Sequence, residues 1–123
     1  MAKGKLMGFP SPAQDYVERQ ISLDELCITR PSATYFMRSD SHYPAVGILK
    51  NSLLVVDSSV RPVNGSLVIA SHEGQLFICR LKLSPVASLI SLEDCRVLSR
   101  FDDGQADEIF GVITYIVSNT AGI

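Results

Sequence analysis

From Ala33 onward the sequence is a succession of short apolar, β-branched runs separated by turn residues, a rhythm that few folds can accommodate. Ala33-Thr34-Tyr35-Phe36-Met37-Arg38 is rich in β-branched and aromatic residues and reads as a strand. Ser52-Leu53-Leu54-Val55-Val56-Asp57, bounded by Asn51 and by Ser58-Ser59, has the pattern of a buried strand. Ser66–Ser71 and Gln75–Leu83 flank His72-Glu73-Gly74, which predicts a hairpin closed by a short glycine-containing loop. In its second arm Cys79, Leu81 and Leu83 alternate with Arg80 and Lys82, so one face is buried and the other wet. Ala87–Leu92 and Arg96–Ser99 are weaker strands, Asp102-Asp103-Gly104-Gln105 is a solvated turn, and Ile109–Val117 is a strong last strand. The pattern predicts an all-β domain, a coiled sheet or barrel-like body with short helical turns near its N-terminus.

Those helical turns come early. Residues 1–14 read as an extended arm, broken by Gly4, Gly8, Pro10 and Pro12. A short helix is expected at about 13–19, where good helix formers gather. Ser22-Leu23-Asp24-Glu25 has the form of a capping box and predicts a second short helix ending near Cys27, with Pro31 stopping anything helical. Residues 15–123 then form one domain, as a length of 123 residues suggests.

Composition removes several function classes. Apolar residues make up 46% and the net charge is −2, which excludes a disordered chain. No apolar run approaches a membrane span, and no apolar stretch of signal-peptide form follows the first residues. A pI near 5.6 argues against direct, sequence-specific DNA binding. The cysteines Cys27, Cys79 and Cys95 are odd in number and form no CxxC, so neither a disulfide framework nor a metal site is supported. Reduced, mostly buried thiols in a cytoplasmic protein without a cofactor are the expectation.

Several segments resemble one family in the right order. Gly8-Phe9-Pro10-Ser11-Pro12-Ala13 with Asp15-Tyr16-Val17-Glu18 is similar to the start of processed UmuD-type proteins, relatives of the LexA repressor. Pro31-Ser32-Ala33-Thr34-Tyr35-Phe36 resembles the run before the family's nucleophile, and Leu53-Leu54-Val55-Val56-Asp57-Ser58 the strand after it. Val68-Ile69-Ala70 with Glu73-Gly74 resembles the hairpin that presents a lysine, and Phe110-Gly111-Val112-Ile113 the closing strand. The resemblance runs from about Gly8 to Val117 and implies the fold of the LexA and signal-peptidase type.

It also implies a serine–lysine dyad, in which a serine attacks a peptide bond and a neutral lysine takes its proton. A serine hydroxyl is a weak nucleophile until a neighbouring base removes that proton, and a lysine can do so only when burial lowers its pKa. The motif here reads Arg38-Ser39-Asp40-Ser41-His42, one residue shorter than the family's and without its glycine and methionine. Ser41 matches the nucleophile through the Asp-Ser pair, with Ser39 as the alternative. Cys79, 38 residues beyond Ser41, stands where the family has the dyad lysine, and the resemblance implies that the two lie close in space. No neighbour offers a replacement. Arg80 and Lys82 point to the opposite face of the strand from Cys79, and arginine cannot lose its proton. A histidine in a polar loop, such as His42, is more often solvated than catalytic. A cysteine buried among apolar groups is a poor base.

The family cuts its own arm before a glycine, after cysteine or alanine; the matching bond is Met7-Gly8, with a larger side chain before it. The arm is also shorter than the family's, so the chain resembles the processed form. The Gly-Asp turns of the family appear as Asn51-Ser52 and Gly65-Ser66. The resemblance therefore implies a homodimeric accessory subunit of an error-prone translesion polymerase in the SOS response, working with a UmuC-like subunit and with recombinase filaments on single-stranded DNA. It would lack self-cleavage. The alternative is an active serine self-peptidase cutting at Met7-Gly8, and no membrane partner is expected.

Overall fold

The computed structural model describes residues 22–102 and 107–121. The expected arm, the helix at about 13–19, the Met7-Gly8 bond and most of the 102–105 turn lie outside them. The chain opens with a five-residue helix, α1 (Leu23–Cys27), whose N-cap Ser22 accepts a hydrogen bond from the Glu25 backbone N–H. Seven strands follow: β1 (Thr34–Arg38), β2 (Leu53–Asp57), β3 (Leu67–His72), β4 (Gln75–Lys82), β5 (Ser88–Ser91), β6 (Val97–Arg100) and β7 (Glu108–Val117). Pro31 does not end all helical structure, because it opens a 3-10 turn over Pro31–Ala33. Proline suits that first position, where its missing N–H has no helical partner.

All seven strands form one antiparallel sheet in the order β1-β2-β7-β3-β4-β5-β6, which is an all-β fold. The sheet is not closed; among the described residues β1 and β6 are its two edges. The β3–β4 hairpin turns through Glu73 and Gly74, both at positive φ (51° and 79°), so His72 and Gln75 still pair across it. Two residues of positive φ match the right-handed twist of the flanking strands.

β7 lies inside the sheet, between β2 and β3, and is bent by two irregularities. The register against β2 shifts between Val55 and Val56, and that against β3 between Ile69 and Ala70. Between the bends Gly111 lies hard against β2. A Cβ there would stand 2.7 Å from Val56 Cγ1 and 3.2 Å from the Asp57 carbonyl oxygen. The absence of a side chain is what lets the two backbones meet.

Two apolar clusters form the core. One gathers Val68, Ala70, Cys79, Leu81, Leu89 and Val112; the other gathers Ile48, Leu54, Val56, Ile69 and Ile113, with Met37, Tyr43 and Ile78 packed against it. Ile48, Leu54 and Leu89 are fully buried, and each contributes about 1.5–3 kcal/mol by leaving water.

Two turns share one construction. In Leu49–Ser52 and in Val63–Ser66 the third residue, Asn51 or Gly65, has positive φ (68° and 89°). In each, the closing serine's Oγ accepts from the N–H three residues earlier, Leu49 at 3.0 Å and Val63 at 2.9 Å. These are the Asn51-Ser52 and Gly65-Ser66 pairs where the family has Gly-Asp. A serine oxygen supplies the acceptor that an aspartate would, and asparagine tolerates the left-handed backbone.

Candidate functional site

The segment that follows β1 is pinned at several points. The Ser39 N–H donates to the Ser52 carbonyl at 3.0 Å, and the Asn51 N–H donates to the Ser39 carbonyl at 2.7 Å. Tyr43 and Ile48 bond each other through both backbones, at 2.8 and 3.2 Å, across a 3-10 turn at Pro44–Val46 that ends on left-handed Gly47. Ile48, which has no exposed surface, plugs the loop into the core. Ser52 Oγ and Ser118 Oγ meet at 2.8 Å and tie the base of the loop to the end of β7.

The two serines of this segment have different surroundings. Ser39 is 1% exposed, and its hydroxyl donates to the Ser41 carbonyl at 2.6 Å. Ser41 is exposed and lines a cavity of about 470 Å³. Met37, Leu54, Ile69 and Ile78 give that cavity an apolar floor; Arg38, Asp40, Tyr43 and Glu93 are among the polar groups around it. Tyr43 holds its proton more tightly than a free phenol, first because it is partly buried and then because the Asp40 carboxylate is close, with Ser41 acting in the opposite direction. Tyr43 thus offers a neutral hydroxyl beside Ser41.

The structure brings Ser41 to β4 at Ile78, the neighbour of Cys79. Cys79 itself is not among the cavity-lining residues. It has no exposed surface and packs in the other core cluster, between Val68 on β3 and Ser91 on β5. Burial first, and the Asp107 carboxylate second, push its thiol up to about 11. At neutral pH it is an uncharged apolar group. Arg80 donates to the Gly65 carbonyl at 2.8 Å, and Lys82 is exposed. The Lys50 backbone N–H donates to His42 Nδ1 at 3.2 Å, which occupies the nitrogen lone pair a base would use. Among the described lining residues the sole cation is Arg38, and its guanidinium donates to the Asn51 carbonyl at 2.9 Å.

Sequence reasoning did not single out Tyr43, Glu93 or a second polar pair, His72 and Asp107, whose Nδ1 and Oδ2 are 2.6 Å apart. That pair joins the end of β3 to the residue before β7. Its members are 35 residues apart, and no local spacing could have signalled it. Among the described residues no His, Cys, Asp and Glu cluster could hold a metal, and no helix is long and apolar enough to cross a membrane.

The geometry is that of a serine presented on a tethered loop beside a hairpin, and known proteins share the sequence that builds it. Residues 4–113 match the family described as Peptidase S24-like. The chain is 38% identical to Protein ImpA of Salmonella typhimurium over 114 residues, 92% of this chain and 78% of that one. It is 36% identical to Protein SamA of Salmonella typhimurium strain LT2, over 92% of this chain and 79% of that one. Against Protein MucA of Escherichia coli the identity is 39% over 88% of this chain and 75% of that one. A match across nearly all the strands that carry the serine loop and the hairpin places the chain in the Peptidase S24-like family, as a member of the UmuD type.

Proposed function

We propose that the chain is a UmuD-like accessory subunit of an error-prone translesion DNA polymerase in the SOS response, and that it does not cut itself. Family membership supports the first half. The second rests on one observation: the described residues lining the cavity with Ser41 include neither a lysine nor a histidine, and the Asp40 and Glu93 carboxylates are the only proton acceptors among their charged groups. Arg38 stays charged, Tyr43 stays protonated, and Cys79 is a neutral thiol buried in the core. Losing one member of a nucleophile–base pair costs several orders of magnitude in rate, because the two act as a unit.

The test is intact mass after incubation with activated recombinase filament, and separately at alkaline pH. The expected mass is unchanged, and damage-induced mutagenesis in cells lacking their own UmuD-type subunit is restored equally by the chain and by Ser41→Ala. The alternative, a working self-peptidase, is favoured by the exposure of Ser41 alone. Loss of the first seven residues in the unchanged chain but not in Ser41→Ala would establish it.

The partners in this reading are a UmuC-like polymerase subunit, a recombinase filament on single-stranded DNA and a second copy of the chain. A symmetric homodimer would use Ile109–Val117, where Phe110 and Tyr115 are exposed and the Phe110 ring packs at a tilt against the exposed Tyr35, centre to centre 4.9 Å. Light scattering at micromolar concentration should give twice the chain mass; a monomer rejects the dimer.

A further inference from the structure

The far edge of the sheet carries a feature that the serine cavity and the dimer leave unused. Lys82 on β4 is paired with Ser88 on β5, and Ser88 with Arg100 on β6. Directly opposed residues share a face, so the two cations flank Ser88 at one level of the sheet, with their Cα atoms about 10 Å apart. A groove of about 360 Å³ lies there, with the aliphatic side chains Val86, Ile90 and Val97 beside the cations. Among the described residues no carboxylate and no aromatic ring lines it. Lys82 and Arg100 are exposed, and neither is in an ion pair with any described residue. Val97 is 49% exposed.

Among the described residues β6 has a neighbour on one side only, β5. Its outer N–H and C=O groups are a template for one more strand. We propose that this edge is a docking site for an extended acidic segment of a partner protein, which adds to β6 as an eighth strand and sets a carboxylate beside Arg100, with Lys82 two strands further in attracting the segment at longer range. The open edge supplies main-chain hydrogen bonds, the exposed Val97 on the edge strand packs against alternate apolar side chains, and the cation pair selects the acidic sequence. Single-stranded nucleic acid would also seek cations, but it needs aromatic platforms for its bases, and the described lining of the groove offers none. The chain's net charge of −2 makes the pair a local attraction rather than part of a basic surface.

The test is fluorescence anisotropy on the full chain with three labelled probes: a peptide of alternating glutamate and valine, one of alternating lysine and valine, and oligothymidylate. The glutamate peptide should bind best. The double variant Lys82→Glu with Arg100→Glu should weaken it about tenfold or more, attraction having become repulsion. Lys82→Gln with Arg100→Gln should weaken it less, and its thermal unfolding, matched to the unchanged chain, separates lost binding from lost fold. Backbone amides within Val97–Arg100 should gain protection from hydrogen exchange in the complex. Preference for oligothymidylate, insensitivity to both double variants, or protection at Thr34–Arg38 instead would each overturn the proposal. So would self-association through β6 that charge reversal abolishes, since the occupant would then be a second copy.

Discussion

Each of the three cysteines has a chemistry set by its surroundings. Cys95 is exposed, Cys27 is buried at the end of α1, and Cys79 is sealed in the core with its thiol pushed up to about 11. The thiolate is the reactive form, so burial protects Cys79 twice, by excluding reagent and by keeping the proton on. At neutral pH a small aromatic disulfide reagent should therefore label one thiol quickly, identified as Cys95 by peptide mapping, and three in denaturant. Rapid labelling of Cys79 in the native protein would show a solvent path into that cluster and reopen the question of its role. The serine pair was legible only to its motif. The Asp40-Ser41 match pointed to the residue that the cavity exposes. That Ser39 is buried and bonded back to Ser41 depends on its pairing with Ser52 across the strand ladder, which one segment read alone does not contain.

Among the elements, β7 is the one whose sequence and geometry bind most tightly together. Gly111 is where the β7 backbone touches β2, and an added methyl group would have to displace Val56 or the Asp57 carbonyl. Gly111→Ala should cost about 1–3 kcal/mol, read as a fall in the urea midpoint with the slope unchanged. A neutral result would mean that the bent strand can shift to make room. Every described strand was visible as an apolar run, and their ends fell within a residue or two of expectation, because pattern and turn residues act locally. Beyond the β3–β4 hairpin, pairing order was not visible. Nothing in Leu53–Asp57 or Leu67–His72 tells that both are neighbours of Glu108–Val117, since that choice is made by core packing across the whole chain. The 3-10 turns at Pro31 and Pro44 were missed for a simpler reason: a proline that forbids an α-helical interior is at home in a first turn.

At the scale of the whole molecule, two carboxylates link stability to acid. The Ser59 hydroxyl, at 2.6 Å, and its backbone N–H hold Asp57 below its ordinary value of 3.8. His72 does the same for Asp107. A carboxylate with a depressed folded pKa adds stability above its unfolded pKa and loses it as pH falls through the folded one. Denaturant midpoints should therefore hold down to about pH 4 and fall below it. Asp57→Asn should be less stable at neutral pH, with the gap to the unchanged chain closing toward pH 2. A gap that stays constant would mean that Asp57 acts through shape and not charge. The place of β7 between β2 and β3 also has a meaning in time. The ribosome delivers Glu108–Val117 after every other described strand, yet that strand alone joins the β1–β2 pair to the β3–β6 meander. Until it emerges, the β1–β2 pair and the β3–β6 meander lack the strand that joins them, and the edges of β2 and β3 that β7 covers have no partner.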